Sequence, residues 1–284
     1  MKSNVYLLDR GHIRADLNFV LDGNVVATAG DPDPPLEYGE FAVWNLLIDH
    51  PDGLVLWDTG SHPEATDGYW PAPLFEAFAH HDAAERDLDT ALGDHGFTVE
   101  DVDAVVVSHL HLDHAGGLYR FAGTDVPIYV HAEELKFAYY SAKTTEGSVA
   151  YWAQDFDHDL NWQVVHGDRT LFDGIELLHL PGHTPGLLGA QIDTVAGPLL
   201  VVGDEAYLEA NYEAGRSMAA SLLWDNRAWA DSLERCREIE RRTGADVLLG
   251  HDPVVMERFG DGWVTPTPAA TRRRTRPDRE PAPR

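Results

Sequence analysis

Ala104-Val-Val-Val-Ser-His109-Leu-His111-Leu-Asp113-His114-Ala-Gly-Gly117 is the stretch that decides the fold. Its first four residues form an unbroken apolar run, the pattern of a buried strand. Four metal-ligand side chains, His109, His111, Asp113 and His114, follow within six residues. His109 and His111 are two apart, so on an extended chain they project to the same side. Asp113 and His114 are adjacent and point in different directions. Two groups of ligands with different aims suit two ions better than one. Ala115-Gly116-Gly117 then lets the backbone turn closely past the site. A polar loop that merely contains histidines is the competing explanation. Further ligand residues at later strand ends weigh against it.

The pattern His109-Leu-His111-Leu-Asp113-His114 resembles the HxHxDH signature of the metallo-β-lactamase superfamily. That resemblance implies an α/β fold, an αββα sandwich in a single domain, with a binuclear metal site along one edge. The motif is specific for the superfamily and weak for substrate. Its members hydrolyse lactams, thioesters, lactones, and sulfate and phosphate esters.

Composition narrows the choice. The chain has 284 residues, 44% of them hydrophobic, enough for a substantial core. No apolar run approaches the roughly 18 residues of a membrane helix. Residues 1–10 lack an h-region and a cleavage site, so a cytoplasmic protein is expected. Cys236 is the only cysteine, which excludes an intrachain disulfide and a cysteine-type zinc site. It falls in a helical stretch, 226–242, as an expected small buried side chain. The formal charge is −27, from 21 basic and 48 acidic residues. Setting aside the six arginines and two acids of 266–284 leaves −31. So acidic a surface repels polyanions and argues against nuclease chemistry; no nucleic-acid or membrane partner is expected.

Along the chain, 4–8, 40–48, 54–57, 126–130, 163–166, 175–180, 187–193, 198–203 and 246–249 read as strands. Stretches 83–95, 131–140 and 226–242 read as helices. Asp58, at a strand end before Thr59-Gly60, is either turn chemistry or a support beside the metals. Residues 61–82 read as an excursion on the active-site side, and 141–162 as an aromatic-rich insertion. The hydrolase domain is expected to span 1–264, followed by a Pro/Arg-rich disordered tail, 265–284.

Three more candidate ligands lie at strand ends. His183 sits in the turn Leu180-Pro-Gly-His-Thr-Pro-Gly186, Asp204 closes the run Leu199-Leu-Val-Val-Gly, and His251 closes Val247-Leu-Leu-Gly. The resemblance implies one metal on His109, His111 and His183, a second on Asp113, His114 and His251, and Asp204 bridging them. Imidazole and carboxylate ligands suit zinc first, and also cobalt, manganese or iron. The remaining histidines, His12, His50, His62, His80, His81, His95, His131, His158, His166 and His179, read as structural, most of them at the surface or in turns.

All seven ligand positions being filled disfavours the iron persulfide dioxygenases and flavodiiron proteins of the superfamily. Over residues 4–260 the chain is similar to the N-acyl homoserine lactonases, through Asn45-Leu-Leu-Ile-Asp-His-Pro-Asp-Gly53, Ser108 to Gly116 and Gly250-His-Asp252. Tyr207, three residues after Asp204, matches a tyrosine that in that family faces the substrate carbonyl. One departure is Pro185-Gly-Leu-Leu in place of the commoner Pro-Gly-His. The resemblance implies a quorum-quenching lactonase in which a metal-bridging hydroxide opens the lactone ring. Tyr207 would stabilise the oxyanion and Asp113 would protonate the leaving oxygen. Phe19, Val20, Trp44, Leu112, Leu222 and Leu223 are candidates for the acyl-chain wall. The alternative is a glyoxalase-type thioesterase or another ester hydrolase on the same fold. A homodimer is compatible with the sequence.

Overall fold

The computed structural model describes residues 1–259, and the apolar runs picked out above become strands of two sheets. In chain order the strands are β1 (Asn4–Asp16), β2 (Tyr38–His50), β3 (Gly53–Trp57), β4 (Phe78–His80), β5 (Ala104–Val106), β6 (Pro127–His131), β7 (Asn161–Val165), β8 (Arg169–Phe172), β9 (Ile175–His179), β10 (Leu188–Asp193), β11 (Pro198–Gly203) and β12 (Asp246–Leu249). They form a seven-stranded sheet, β4-β1-β2-β3-β5-β6-β7, and a five-stranded sheet, β12-β11-β10-β9-β8.

The two-residue period of a strand splits each apolar run between two layers. In β2, Leu46 and Ile48 face the second sheet, while Leu47 faces outward. In β3, Val55 and Trp57 face inward and Leu54 and Leu56 outward. In β11, Leu199 and Val201 meet the first sheet, while Leu200 and Val202 face the other way. The outward residues of the first sheet pack under helices Leu88–Gly93 and Ala132–Lys143, through Leu88, Leu92 and Ala138. Those of the second sheet pack under helix Asn226–Thr243, through Trp229, Leu233, Cys236 and Ile239. The spacing of those four residues puts them on one helical face. Asp225 caps that helix, accepting from the Ala228 N–H at 2.7 Å, and Gly244 ends it in the left-handed conformation. Helix, sheet, sheet and helix are therefore stacked as the motif implied. The buried, free Cys236 is as expected.

Several elements differ from the sequence reading. β1 runs to Asp16 instead of stopping near residue 8. Its pairing with β2 shifts register between Asp9 and His12, and Gly11 takes φ 87° there. That bulge carries the strand through the polar run Asp9-Arg-Gly-His12, which reads as a strand end. Strands β4 and β8 and the short helices Glu209–Tyr212 and Val254–Phe259 were not legible. Helix 83–95 narrows to Leu88–Gly93, because Asp87 accepts from the Thr90 N–H and starts it late. His50 and His80 are fully buried instead of lying at the surface. His80 is held between the Ser61 hydroxyl, 2.7 Å, and the Arg10 carbonyl, 3.0 Å. The tail 265–284 lies outside the described residues.

Candidate metal centre

The chain leaves β5 at Val106 and presents His109 and His111 before the one-turn helix Leu112–Ala115, which carries Asp113 and His114. His183 arrives on the turn between β9 and β10, Asp204 follows β11, and His251 follows β12. Strand ends from both sheets thus bring all seven side chains to one rim.

Nδ1 of His111 lies 3.1 Å from Nε2 of His109 and 3.0 Å from Nε2 of His183. Oδ2 of Asp204 is 3.6 Å from His109 and 3.5 Å from His183. On the other side, Nε2 of His114 and of His251 lie 3.6 and 3.5 Å from Asp113 Oδ2. They are 3.4 Å from Asp204 Oδ2 and 3.3 Å from its Oδ1, respectively. A tetrahedral ion with ligands at about 2.0–2.1 Å separates them by about 3.3–3.4 Å. The recorded contacts on the two sides, 3.0–3.6 Å, are of that order, and Asp204 reaches His109 and His183 on one side and His114 and His251 on the other. Buried Nε2 of His114 and Oδ1 of Asp204 have no hydrogen-bond partner, which suits atoms aimed at cations. The residues therefore fit a pair of divalent ions.

The outward nitrogens fix how the rings face. His183 Nδ1 donates to the Leu222 carbonyl at 2.7 Å, and His251 Nδ1 to the Ala42 carbonyl at 2.8 Å. His114 Nδ1 donates to Asp58 Oδ2 at 2.9 Å. With Nδ1 protonated, each Nε2 keeps its lone pair for the centre. Asp58 also accepts from the backbone and hydroxyl of Ser108, at 2.6 and 2.7 Å. Of the two readings of Asp58, the structure gives it the support beside the ligands.

Burial, reinforced by the neighbouring imidazoles, pushes His109 and His111 well below the usual histidine range, so they stay neutral. Burial alone would do the same to His114 and His251, but Asp204 and Asp113 outweigh it and raise both. Asp204 is fully buried, yet His251, His114 and His109 hold it well below the usual carboxylate range. The carboxylates of Asp204 and Asp113 thus draw positive charge to this rim, which protons on His114 and His251 supply where no cation does.

The centre forms the floor of a cavity of about 950 Å³. Phe19, Val20, Leu112, Leu222 and Leu223 line it, as do His111, Asp113, His183, His251 and Tyr207. Tyr207 packs its ring 4.5 Å from that of His251 and 5.6 Å from that of His183. Burial, then Asp204 and Asp113, push its pKa well above the phenol range, so it stays a hydroxyl donor. Trp44 is a correction. It lies in the core between the sheets, and its indole N–H donates to the Leu249 carbonyl at 3.0 Å. It shares its strand parity with Leu46 and Ile48, which dictates that inward direction. The wall is completed by Phe41, Trp70, Phe78, Phe137 and Trp152, from the two loop-rich segments and their neighbours. Sequence reasoning also missed Glu134, a buried acid between the ligand loops. In Ala132-Glu-Glu-Leu it reads as an ordinary first-turn helix acid.

Comparison with known proteins agrees with this geometry. The family model of the metallo-beta-lactamase superfamily matches residues 38–251. The N-acyl homoserine lactonase AiiB of Agrobacterium fabrum is 32% identical over 263 residues, covering 89% of this chain and 94% of that protein. A solved N-acyl homoserine lactone hydrolase, with N-hexanoyl-L-homoserine bound at its catalytic metal centre, superposes with a TM-score of 0.77. It is 24% identical, over 90% of this chain and 96% of that one. AidC, a dizinc quorum-quenching lactonase, gives 0.61 at 20% identity, over 88% and 87%. With its ligand spacing, its two stacked sheets and these relatives, the chain belongs to the metallo-beta-lactamase superfamily, in the N-acyl homoserine lactonase family.

Proposed function

We propose that the protein is a binuclear-metal hydrolase that opens the lactone ring of N-acyl homoserine lactones, and so quenches quorum signals. One observation carries the reading: Tyr207 stands beside the seven-ligand cluster at the floor of an apolar cavity. His109, His111 and His183 would hold one ion, Asp113, His114 and His251 the other, and Asp204 both. Zinc is the proposed metal, since imidazole with carboxylate suits it. Such a pair supplies a nucleophile from water at neutral pH and polarises the ester carbonyl.

The chain's own residues do the rest. The Tyr207 hydroxyl, kept protonated by its surroundings, donates to the carbonyl oxygen as negative charge builds there. Asp113, facing the cavity, is placed to take the proton released by the attacking water and pass it to the departing ring oxygen. Phe19, Val20, Leu222 and Leu223 wall the acyl chain and exclude water. Among the described residues, no lysine or arginine lines the cavity. A neutral lactone loses nothing by this, whereas the carboxylates of a glutathione thioester find no lysine or arginine to pair with. No helix of the described residues is long and apolar enough to cross a membrane. We place the enzyme in the cytoplasm, with the small lactone as its partner.

Tyr207→Phe removes only the hydroxyl. Losing one oxyanion donor costs roughly 10²–10³-fold in a site with no metal help. Here the ions share that charge, so a fall in kcat/KM of about tenfold to a hundredfold on N-acyl homoserine lactones is expected, at unchanged metal content. Lactone turnover equal to wild type would reduce Tyr207 to a packing residue. Wild-type protein that ignores lactones and cleaves a glutathione thioester would overturn the substrate.

A further inference from the structure

We infer that Glu134 is a positioning residue for the three-histidine half of the metal centre, and that it ties the Tyr151 wall of the cavity to that half. Glu134 is fully buried at the start of helix Ala132–Lys143. Its neighbour Glu133 is exposed in the same turn and pairs with Lys136, so the helix end has a solvated acid without it. Every partner of Glu134 is a donor. The Leu110 N–H donates to Oε1 at 2.9 Å and the Tyr151 hydroxyl to the same oxygen at 2.8 Å. The Thr184 hydroxyl donates to Oε2 at 2.6 Å. A carboxylate accepts all of these at once, whereas an amide has one acceptor oxygen and would turn its NH2 on the Thr184 side, forcing that hydroxyl to reverse.

The identity of those donors gives the network its meaning. Leu110 stands between His109 and His111. Thr184 follows His183. Tyr151 lays its ring 4.6 Å from that of His111 and lines the cavity. Glu134 therefore joins the two loops that carry His109, His111 and His183. Among the described residues, none of these hydrogen bonds goes to a residue flanking Asp113, His114 or His251. The latter half has its own supports, Asp58 on His114 and the Ala42 carbonyl on His251. Burying a carboxylate costs stability unless donors surround it, and here the donors come from the segments that must keep register with each other. Gly186 is pressed so close to Glu134 that a Cβ there would lie 2.2 Å from the Glu134 nitrogen, which locks the turn to the helix start.

The inference rests on the metal-centre reading, and the experiment separates the two. Zinc(II) alone is titrated into the metal-free full chain against a chromophoric chelator. Wild type should bind two zinc ions; fewer would overturn the metal-centre reading and this inference with it. In Glu134→Gln, one zinc affinity should fall roughly 10–100-fold, as for other supports of metal ligands, while the other stays as in wild type. X-ray absorption of that variant with one zinc per chain should report the shell of Asp113, His114 and His251, which includes a carboxylate besides Asp204. Tyr151→Phe leaves the Leu110 and Thr184 bonds in place. It should keep both affinities and raise KM more than it lowers kcat. A merely structural Glu134 would lower both affinities together, and that result, or no change in either, overturns the inference. Should Glu134→Gln fail to fold, Thr184→Val removes one bond and should weaken the same single site by a smaller factor; unchanged affinities there are equally fatal.

Discussion

Asp58 and Asp155 show what single residues are made to do around this centre. Asp58 is the one non-glycine residue with positive φ among the described residues, at 56°. That conformation is sparsely populated, and asparagine and aspartate tolerate it best. Three hydrogen bonds from Ser108 and His114 hold it there, so backbone strain is exchanged for a fixed imidazole. Asp155 is also buried, with Oδ1 accepting from the Tyr69 hydroxyl at 2.9 Å and Oδ2 unpartnered. Burial, with Asp113 adding to it, pushes its pKa up to about 8. Below about pH 4 the group is protonated whether the chain is folded or not, and stability is unaffected. As pH rises toward 8 the unfolded chain ionises while the folded one keeps its proton, so folding is progressively penalised. Asp155→Asn should remove that penalty, on the order of a few kcal/mol at pH 8. Urea midpoints of variant and wild type should differ more at pH 8 than at pH 5. A difference independent of pH would mean that Asp155 ionises normally in the fold.

At the scale of elements, the one-turn helix Leu112–Ala115 owes its position to the chain that follows β3. The Thr59 N–H and hydroxyl both donate to the His114 carbonyl, at 2.8 and 2.9 Å, and the Gly117 N–H returns a bond to the Thr59 hydroxyl at 3.1 Å. Gly116 allows this contact. A Cβ there would lie 2.2 Å from the His62 nitrogen and 2.7 Å from the Ser61 carbonyl carbon. Both are backbone atoms and cannot swing away. Gly116→Ala should cost about 1–3 kcal/mol or more, read from the urea midpoint, and should lower zinc content, because His114 moves with the helix. Wild-type stability would mean that the 59–62 segment yields freely. The Gly-Gly pair signalled this close approach in the sequence. The partner it approaches was not signalled, since residues 59–62 lie more than fifty positions earlier.

Over the whole molecule, charge and cavity are the two collective properties. A chain of net charge −27 repels itself, and the screening length falls from about 30 Å at 0.01 M salt to about 10 Å at 0.1 M. The melting temperature should therefore rise with KCl, mostly below molar concentration. A flat or falling curve would show the charges to be neutralised locally. Ion pairs such as Arg235 with Asp168 and Lys143 with Asp157 are partly exposed, where such pairs offset little of the repulsion. The cavity is collective in another sense. Phe19, Trp70, Phe137, Trp152 and Leu222 come from five separate segments and form no pattern along the chain.

The sequence by itself determined the sheets' apolar runs, the one-face helix 226–242 and all seven residues now gathered at the rim. The strands and the helix follow from side-chain period; His183, Asp204 and His251 stood out as candidates at strand ends, and the resemblance carried by the HxHxDH motif joined them to the other four. Tertiary structure alone decided which buried groups serve the ligands. Glu134 looks like a common helix-start acid until Leu110, Thr184 and Tyr151 converge on it. Trp44 looks like a cavity aromatic until strand parity turns it into the core. The sequence reading stops β1 at residue 8, yet the Arg10 guanidinium is buried against the Asn45 side chain and the Thr59 carbonyl, and the strand runs on to Asp16. The physical reason is common to the three. A hydrogen bond or a packing contact between distant segments is fixed by where the strands lie in space, and a residue's own neighbours in sequence carry no trace of it.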